Sequence, residues 1–361
     1  MSDTTTKVML DAYEQEAEPT LFLSGMFQAL MSNFHNSEEV EIDIVRGEED
    51  IAIVIQDLST GARYNSEDLY ANKAFKPPIF KEAGPINAHT LIKRMPGQDP
   101  FQSVDFQANA IMRGMKLMRK LQRKILRAIE QQSSQVLTTG TVTLTDGAGV
   151  ALYTISYSPK ATHFPTSAVA WSSPSSTKLG DIQSLANVIR TDGLANPDML
   201  IMGEGSYELF IQDAEVLTRL DNRRIEGNGI VPMDRMGNGG IYRGTVEIGN
   251  YKYDIWTYGG RYKDPATGNS LQYVPDGKVI VRASSGRLDA TFGGIPGISN
   301  RPDPRVPAGL LTRISSPSNM ADIQLNSWIT EDDETMMVQA GTRPLMIPTA
   351  IDTYGCLDTG I

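Results

Sequence analysis

Three histidines, His35, His89 and His163, are the first residues to weigh for chemistry, and each stands alone. A protein metal site needs His, Cys or carboxylate ligands at short, fixed spacing. None of the three has a second histidine or a cysteine at such a distance. The single cysteine, Cys356, has no partner thiol, so no internal disulfide forms and the residue is expected to be inert. One cysteine suits a reducing compartment such as a bacterial cytoplasm. Gly203-Glu204-Gly205-Ser206 approaches a phosphate-cradling loop after a predicted strand, but the third glycine position is Glu208 and Glu204 would repel a phosphate. Helix initiation with Ser206 as N-cap is the expected role of that segment. The run Glu331-Asp332-Asp333-Glu334 reads as a solvated turn between strands, not as a calcium loop. No Gly-x-Ser-x-Gly elbow occurs, and no Ser, His and Asp set is placed together by sequence. Carboxylates paired only by folding leave no local trace, so a β-containing hydrolase stays open as an alternative.

The strongest signal is electrostatic. Between Arg113 and Arg127 lie seven bases (Arg113, Lys116, Arg119, Lys120, Arg123, Lys124 and Arg127) and no acids. Up to residue 60 the balance reverses, with thirteen acids against Lys7 and Arg46. Such segments neutralise one another within a chain or between neighbouring copies. The basic face equally suits the phosphates of nucleic acid, bound without sequence readout. An ordinary solvated helix face is the third reading.

The elements that would carry these charges follow from periodicity. With 361 residues and 40% apolar content the chain has material for one large or two ordinary cores. Its polar, acidic start lacks a signal peptide's features, and Leu21 to Met31 and Ile51 to Ile55 fall short of the ~20 residues that span a bilayer. A soluble protein without membrane contact is expected. Residues 1–38 form an arm with a short apolar stripe that has nothing local to pack against. Residues 39–100 form an extended loop, with β-prone Val40, Ile42 and Ile44 and with Lys76-Pro77-Pro78 and Pro85 blocking regular helix. From about Ser103 to Ser134, Ile111, Met115, Met118, Ile125 and Ile129 recur at helical spacing, predicting a spine about 45 Å long. Gly114 within it marks either a bend or a close packing point. Thr141 to Leu144 and Val150 to Tyr157 predict a hairpin around Asp146-Gly147-Ala148-Gly149. Pro159 to Ser176 is the candidate crossing into an α/β unit: helix Asp181 to Arg190, strand Asp198 to Met202, helix Ser206 to Leu217. Strands follow at Tyr251 to Tyr258, Leu271 to Val274 and Lys278 to Val281, then at Ile323 to Ile329, Thr335 to Gln339 and Leu345 to Ile347.

This order, with Leu21-Phe22-Leu23, Phe75-Lys76-Pro77-Pro78, Leu91-Ile92-Lys93-Arg94-Met95-Pro96, Asp99-Pro100, Leu220-Asp221-Asn222-Arg223-Arg224, Tyr273-Val274-Pro275-Asp276-Gly277 and Arg343-Pro344-Leu345-Met346, resembles the lambda-type major capsid proteins of tailed bacteriophages, the major capsid protein E family. The resemblance implies an α+β fold of the Hong Kong 97 capsid type: arm 1–38, extended loop 39–100, peripheral domain 101–178 with the spine helix, axial domain 179–317, and return strands of the peripheral domain at 318–361. It implies no catalytic site, no cofactor and no metal. The implied function is a shell of hexamers and pentamers enclosing double-stranded DNA, assembled in the host bacterial cytoplasm and residing in the virion. Implied partners are further copies of the chain, a portal, a separate scaffolding protein and a decoration protein. Leu21, Phe22, Phe27, Phe75, Lys76, Pro77, Pro78, Arg94, Arg223 and Arg224 are the expected intersubunit residues, and the seven bases of the spine face DNA or acidic arms. Lysine crosslinking from Lys73, Lys76 or Lys81 lacks an identifiable partner asparagine. A tail or connector component and an encapsulin-like compartment are the remaining alternatives, separable by ring against shell and by nucleic acid content.

Overall fold

The computed structural model describes residues 18–30, 40–44, 71–93, 106–146, 148–221, 225–226, 229–230, 238–295, 306, 313–316, 321–331 and 334–361. In chain order, β1 (Val40–Ile44), β2 (Ala71–Phe75), β3 (Phe80–Asn87) and a short α1 (Ala88–Ile92) precede the spine helix α2 (Phe106–Thr139). The hairpin β4 (Thr141–Thr145) and β5 (Ala151–Ser156) leads to α3 (Lys178–Gly193), β6 (Met199–Met202), α4 (Glu204–Ile211), α5 (Ala214–Arg219) and β7 (Leu220–Asp221). Then come β8 (Ile225–Glu226), β9 (Gly229–Ile230), β10 (Gly240–Ile248), β11 (Tyr251–Tyr258), β12 (Arg261–Lys263), β13 (Ser270–Gln272), β14 (Lys278–Arg282) and β15 (Asp289–Phe292). The chain closes with β16 (Arg313–Ser316), β17 (Ala321–Ile329), β18 (Thr335–Thr342), β19 (Pro344–Ile347) and β20 (Tyr354–Asp358).

Two sheets frame the molecule. A six-stranded sheet has the order β20-β14-β6-β11-β10-β7 and a four-stranded one the order β16-β17-β18-β3. The runs Leu200-Ile201-Met202 and Val279-Ile280-Val281 are buried throughout, and alternate residues feed different cores. Ile201 and Ile280 pack with the spine helix, whereas Leu200, Met202, Val279 and Val281 pack beneath α3 and α4. A strand covered on both faces must be apolar at every position, which is why no alternation is visible in these runs.

The spine helix follows the predicted periodicity with a shifted face. Ala110, Gly114, Met118, Leu121, Ile125 and Ile129 are buried, while Met115 is exposed and Ile111 half-buried. Gly114 therefore lies on the packed face of a continuous helix. Pro85 sits inside β3 opposite Met337, and β3 is an edge strand, where the missing N–H costs no ladder bond. The predicted helix Ser206 to Leu217 is broken into α4 and α5. Gly203 is the N-cap residue of α4, and the Ser206 hydroxyl instead donates to the Asp276 carbonyl.

The last strands divide between the two sheets. β17 and β18 pair with β3, and β20 lies antiparallel to β14 in the six-stranded sheet, where the Tyr354 hydroxyl donates to the Val136 carbonyl of the spine at 3.2 Å. Tyr354 to Leu357 are buried without interruption, because Tyr354 and Cys356 pack in the core of the spine helix on one face and Leu357 in the core of α3 on the other.

Candidate interaction surfaces

At 3.6 residues per turn the seven bases of the spine fall within an arc of about 140°, opposite the buried edge. Lys116, Arg119, Lys120 and Lys124 are exposed; Arg113, Arg123 and Arg127 are half-buried. Within the chain, Arg113 Nη2 donates to the Lys93 carbonyl at 3.0 Å, and Lys124 Nζ meets Glu82 Oε2 at 2.9 Å. Arg123 Nη2 lies 3.8 Å from Glu18 Oε1. Below the middle of the helix, a groove of about 720 Å³ runs between β3, α2 and the β12–β13 hairpin. Lys81, Lys124, Arg127, Arg261 and Lys263 line it, with Glu82 and Asp264 as its acids. Both surfaces carry an excess of cations over acids.

The described part of the arm is anchored in its own chain, which corrects the expectation that its apolar stripe lacks local partners. Phe22 inserts between Trp256 and Tyr258, with ring centroids at 5.7 and 5.2 Å. A Cβ on Gly240 would lie 2.3 Å from the Phe22 ring, so only glycine admits it there. Beside it, the backbone N–H groups of Leu23 and Ser24 donate to the Glu130 carboxylate at 2.8 and 2.9 Å. Further on, Gln28 N–H donates to the Leu288 carbonyl at 2.8 Å, and Ala290 N–H donates to the Gln28 carbonyl at 2.9 Å. Phe22 and Phe27 are thus buried within the subunit, not held for a neighbour, and Leu21 is half-buried. The aromatic cage of β11 supplies the cover that sequence reading assigned to another copy. Glu130 is the sole acid of the 34-residue helix, and that isolation was the signal available in the sequence. Burial raises its pKa above the ordinary 4.5, against the lowering effect of its hydrogen bonds.

A second anchor joins two of the motifs. Arg343, 1% exposed, donates from Nε and Nη2 to the Pro77 carbonyl at 3.3 and 3.1 Å and from Nη1 to the Gly294 carbonyl at 2.8 Å. Pro77 is accordingly buried in the subunit, while Lys76 is exposed and Pro78 half-buried. Phe75 ends β2 and its side chain lies outside the described residues, as do Arg94, Arg223, Arg224 and His35. Lys73 is placed in β2 by its backbone alone.

The remaining candidates for chemistry are structural. His163 is buried, with Nδ1 2.8 Å from the Tyr354 carbonyl and Nε2 3.2 Å from Asp192 Oδ2. The Lys160 ammonium, 2.8 Å from Asp192, holds that carboxyl below its ordinary range. His89 lies on α1, exposed. Burial pushes the Cys356 thiol up to about 12. Among the described residues no group of His, Cys, Asp and Glu is arranged to hold a metal ion, and no helix is long and apolar enough to cross a membrane.

Residues 5–354 match the model of the family phage major capsid protein E. Among solved structures, a candidate capsid protein of a prophage in Escherichia coli CFT073 superposes with a TM-score of 0.58 at 16% identity, covering 95% of this chain and 93% of that one. A structure from Gordonia phage Cozz gives 0.49 at 10% identity over 98% and 90% of the two chains. One from Mycobacterium phage Bobi gives 0.48 at 10% over 97% and 93%. No curated protein matches the sequence.

Proposed function

Because the chain belongs to the phage major capsid protein E family, with the Hong Kong 97 type α+β fold and the role of a tailed-phage major capsid protein, we propose that it forms hexamers and pentamers of an icosahedral shell. On this reading the shell encloses double-stranded DNA and assembles in the host cytoplasm with a portal, a separate scaffolding protein and a decoration protein. It needs no catalytic step.

The observation that carries the proposal is the β1–β2 ribbon. These strands form a two-stranded sheet of their own, pairing Val40 with Phe75 through Ile44 with Ala71. A two-stranded ribbon alone is marginal in water. Its first strand carries Glu41 and Asp43, and the same chain presents the cationic face of the spine. We assign Leu21, Phe75, Lys76, Pro78, Arg94, Arg223 and Arg224 to contacts between copies. Phe22, Phe27 and Pro77 leave that assignment because their own subunit buries them. The basic face of the spine is assigned to the phosphates of packaged DNA.

Electron microscopy of the purified protein tests this directly. Closed particles are expected, with assembly slowing as salt rises because exposed ion pairs are screened beyond about 8–10 Å. A monomer that stays dispersed at high concentration, or that cleaves a saccharide, would refute the reading.

A further inference from the structure

The groove beside the spine helix is walled by two strands that each end a sheet. β3 is the last strand of the four-stranded sheet, and β12 pairs only with β13. The groove touches three consecutive residues of each, Phe80, Lys81 and Glu82 on one wall and Arg261, Tyr262 and Lys263 on the other. Neighbouring side chains of a strand leave on opposite faces, so a cavity that meets three in a row meets the strand along its edge. Among the described residues, neither stretch has a backbone partner beyond β18 and β13. Pro85 blunts the edge of β3 farther along, whereas the stretch beside the groove carries no proline.

Backbone N–H and C=O groups at such an edge call for an occupant that offers donors and acceptors in alternation. A polypeptide does so. A DNA backbone would set phosphate oxygens against the edge carbonyls. The charge of the occupant follows from the walls. Glu82 is held by Lys124 at 2.9 Å, and the Asp264 carboxylate accepts the Thr267 hydroxyl at 2.7 Å and the Thr267 amide at 3.2 Å. Arg261 lies 3.8 Å from Glu204. Lys81 and Lys263, one on each edge, are exposed, and among the described residues neither has an ion-pair partner. An acidic segment fits them. The described part of the subunit's own strap is seated elsewhere, with Leu23 and Ser24 on Glu130 and Gln28 between Leu288 and Ala290. Each copy carries 43 acids against 33 lysines and arginines, so a neighbour has acid to give.

We propose that an extended acidic segment of a second copy enters this groove and adds as a strand to the edge of β3, with its carboxylates on Lys81 and Lys263. β3 is the edge that takes it because it has eight residues backed by three further strands, whereas β12 has three residues and one partner. The addition stops short of Pro85. It rests on the shell reading, which sets copies side by side, and it makes one sheet continuous across two subunits.

Assembly of full-length variants tests the strand. Lys81, Ala83 and Pro85 share one side of β3, so Ala83→Pro removes an N–H that bonds to nothing in its own sheet. It should raise the concentration needed for assembly about tenfold while the unassembled subunit melts with the parent. Ala83→Val keeps the N–H and should assemble as the parent does. Lys81→Glu combined with Lys263→Glu should impair assembly by a similar factor, and this pair decides the matter if the proline variant melts early. In particles built from mixed isotopically heavy and light parent chains, zero-length carbodiimide links from Lys81 or Lys263 to carboxylates should join heavy to light in the proportion of random pairing. Links confined to one isotope would overturn the proposal in favour of a segment of the same chain. Lysines protected only in DNA-filled particles would overturn it in favour of nucleic acid. Shells that form normally from both variants, without links at either lysine, would sink the docking and leave the shell reading intact; a protein that never assembles removes both.

Discussion

The two halves of the spine helix are both rich in polar residues, cationic in front and mostly uncharged behind, and they do opposite work. From Phe106 to Lys124 one edge is buried and the rest is solvated, with the cations outward. From Ile129 to Thr138 nearly every position is buried, including Glu130, Gln132, Ser133, Ser134 and Thr138. Ser133 and Thr138 bond back into their own helix, but Glu130 and Ser134 serve other elements: Glu130 takes the Leu23 and Ser24 amides, and Ser134 donates to the Tyr273 carbonyl. A polar side chain on a helix is a solvated one where nothing crosses it and a structural one where a backbone needs a partner. The rear half holds the subunit together, and the front half leaves most of its cations at the surface.

The contrast breaks most visibly at Phe22. Replacing it with alanine empties the cage of Trp256, Tyr258 and Gly240 and should cost about 3–5 kcal/mol in denaturant unfolding of the unassembled chain. Met112→Ala, an equally apolar deletion on the front half, should stay within about 0.5 kcal/mol. Equal losses would mean that the two halves are not distinguished by cover. Glu130→Ala comes next. It orphans two buried N–H groups, for an expected loss of about 2–3 kcal/mol. Limited proteolysis should then cut near Leu23 first, since the strap loses its hold on the helix. Gly240→Ala forces the Phe22 ring to shift and should cost about 1–3 kcal/mol by crowding, without removing any contact.

Glu130 also sharpens the comparison through pH. Its folded pKa lies above the ordinary 4.5, so the folded state binds more protons between the two values. That contribution to stability is fully present below pH 4.5 and is lost as pH rises through the folded value. Asp358 behaves oppositely: Lys278, 2.8 Å away, lowers its pKa, so its contribution is present above the ordinary value of 3.8 and is lost as pH falls through the folded one. Subtracting the pH–stability curve of Glu130→Gln from that of the parent should leave a difference favouring the parent more strongly toward acid. A flat difference would show that the carboxyl titrates as it does in the unfolded chain.

How much of this was legible follows the same division. The spine helix, the β4–β5 hairpin and strand Tyr251–Tyr258 were readable because each is set by its own periodicity or turn glycines. The basic face was readable because charge is local in sequence. The Phe22 cage was not: it joins residue 22 to residues 240, 256 and 258, and an apolar stripe looks the same whether its own subunit or another covers it. Arg343 and Pro77 were both noticed as motifs, yet nothing in either predicts that one holds the carbonyl of the other across the chain. The pairing of β20 with β14 was hidden for a related reason, since a short continuous apolar run fits either sheet.

The smallest effect is the most informative about the front half. Lys120→Ala removes an exposed cation that packs against no core, so subunit stability should move by less than about 0.5 kcal/mol. What should change is the response to salt. Each cation taken from a polyanion-binding face removes its share of released counterions, so the slope of log affinity for short duplex DNA against log salt should fall in magnitude by close to one. Repeating the measurement with Lys252→Ala, an exposed lysine away from the spine, should leave the slope as it was. If both substitutions alter the slope equally, the binding reports the charge of the whole protein and the face has no special standing. If neither does, the cations of the front half serve the solubility of the subunit, and its contrast with the buried rear half is one of solvation alone.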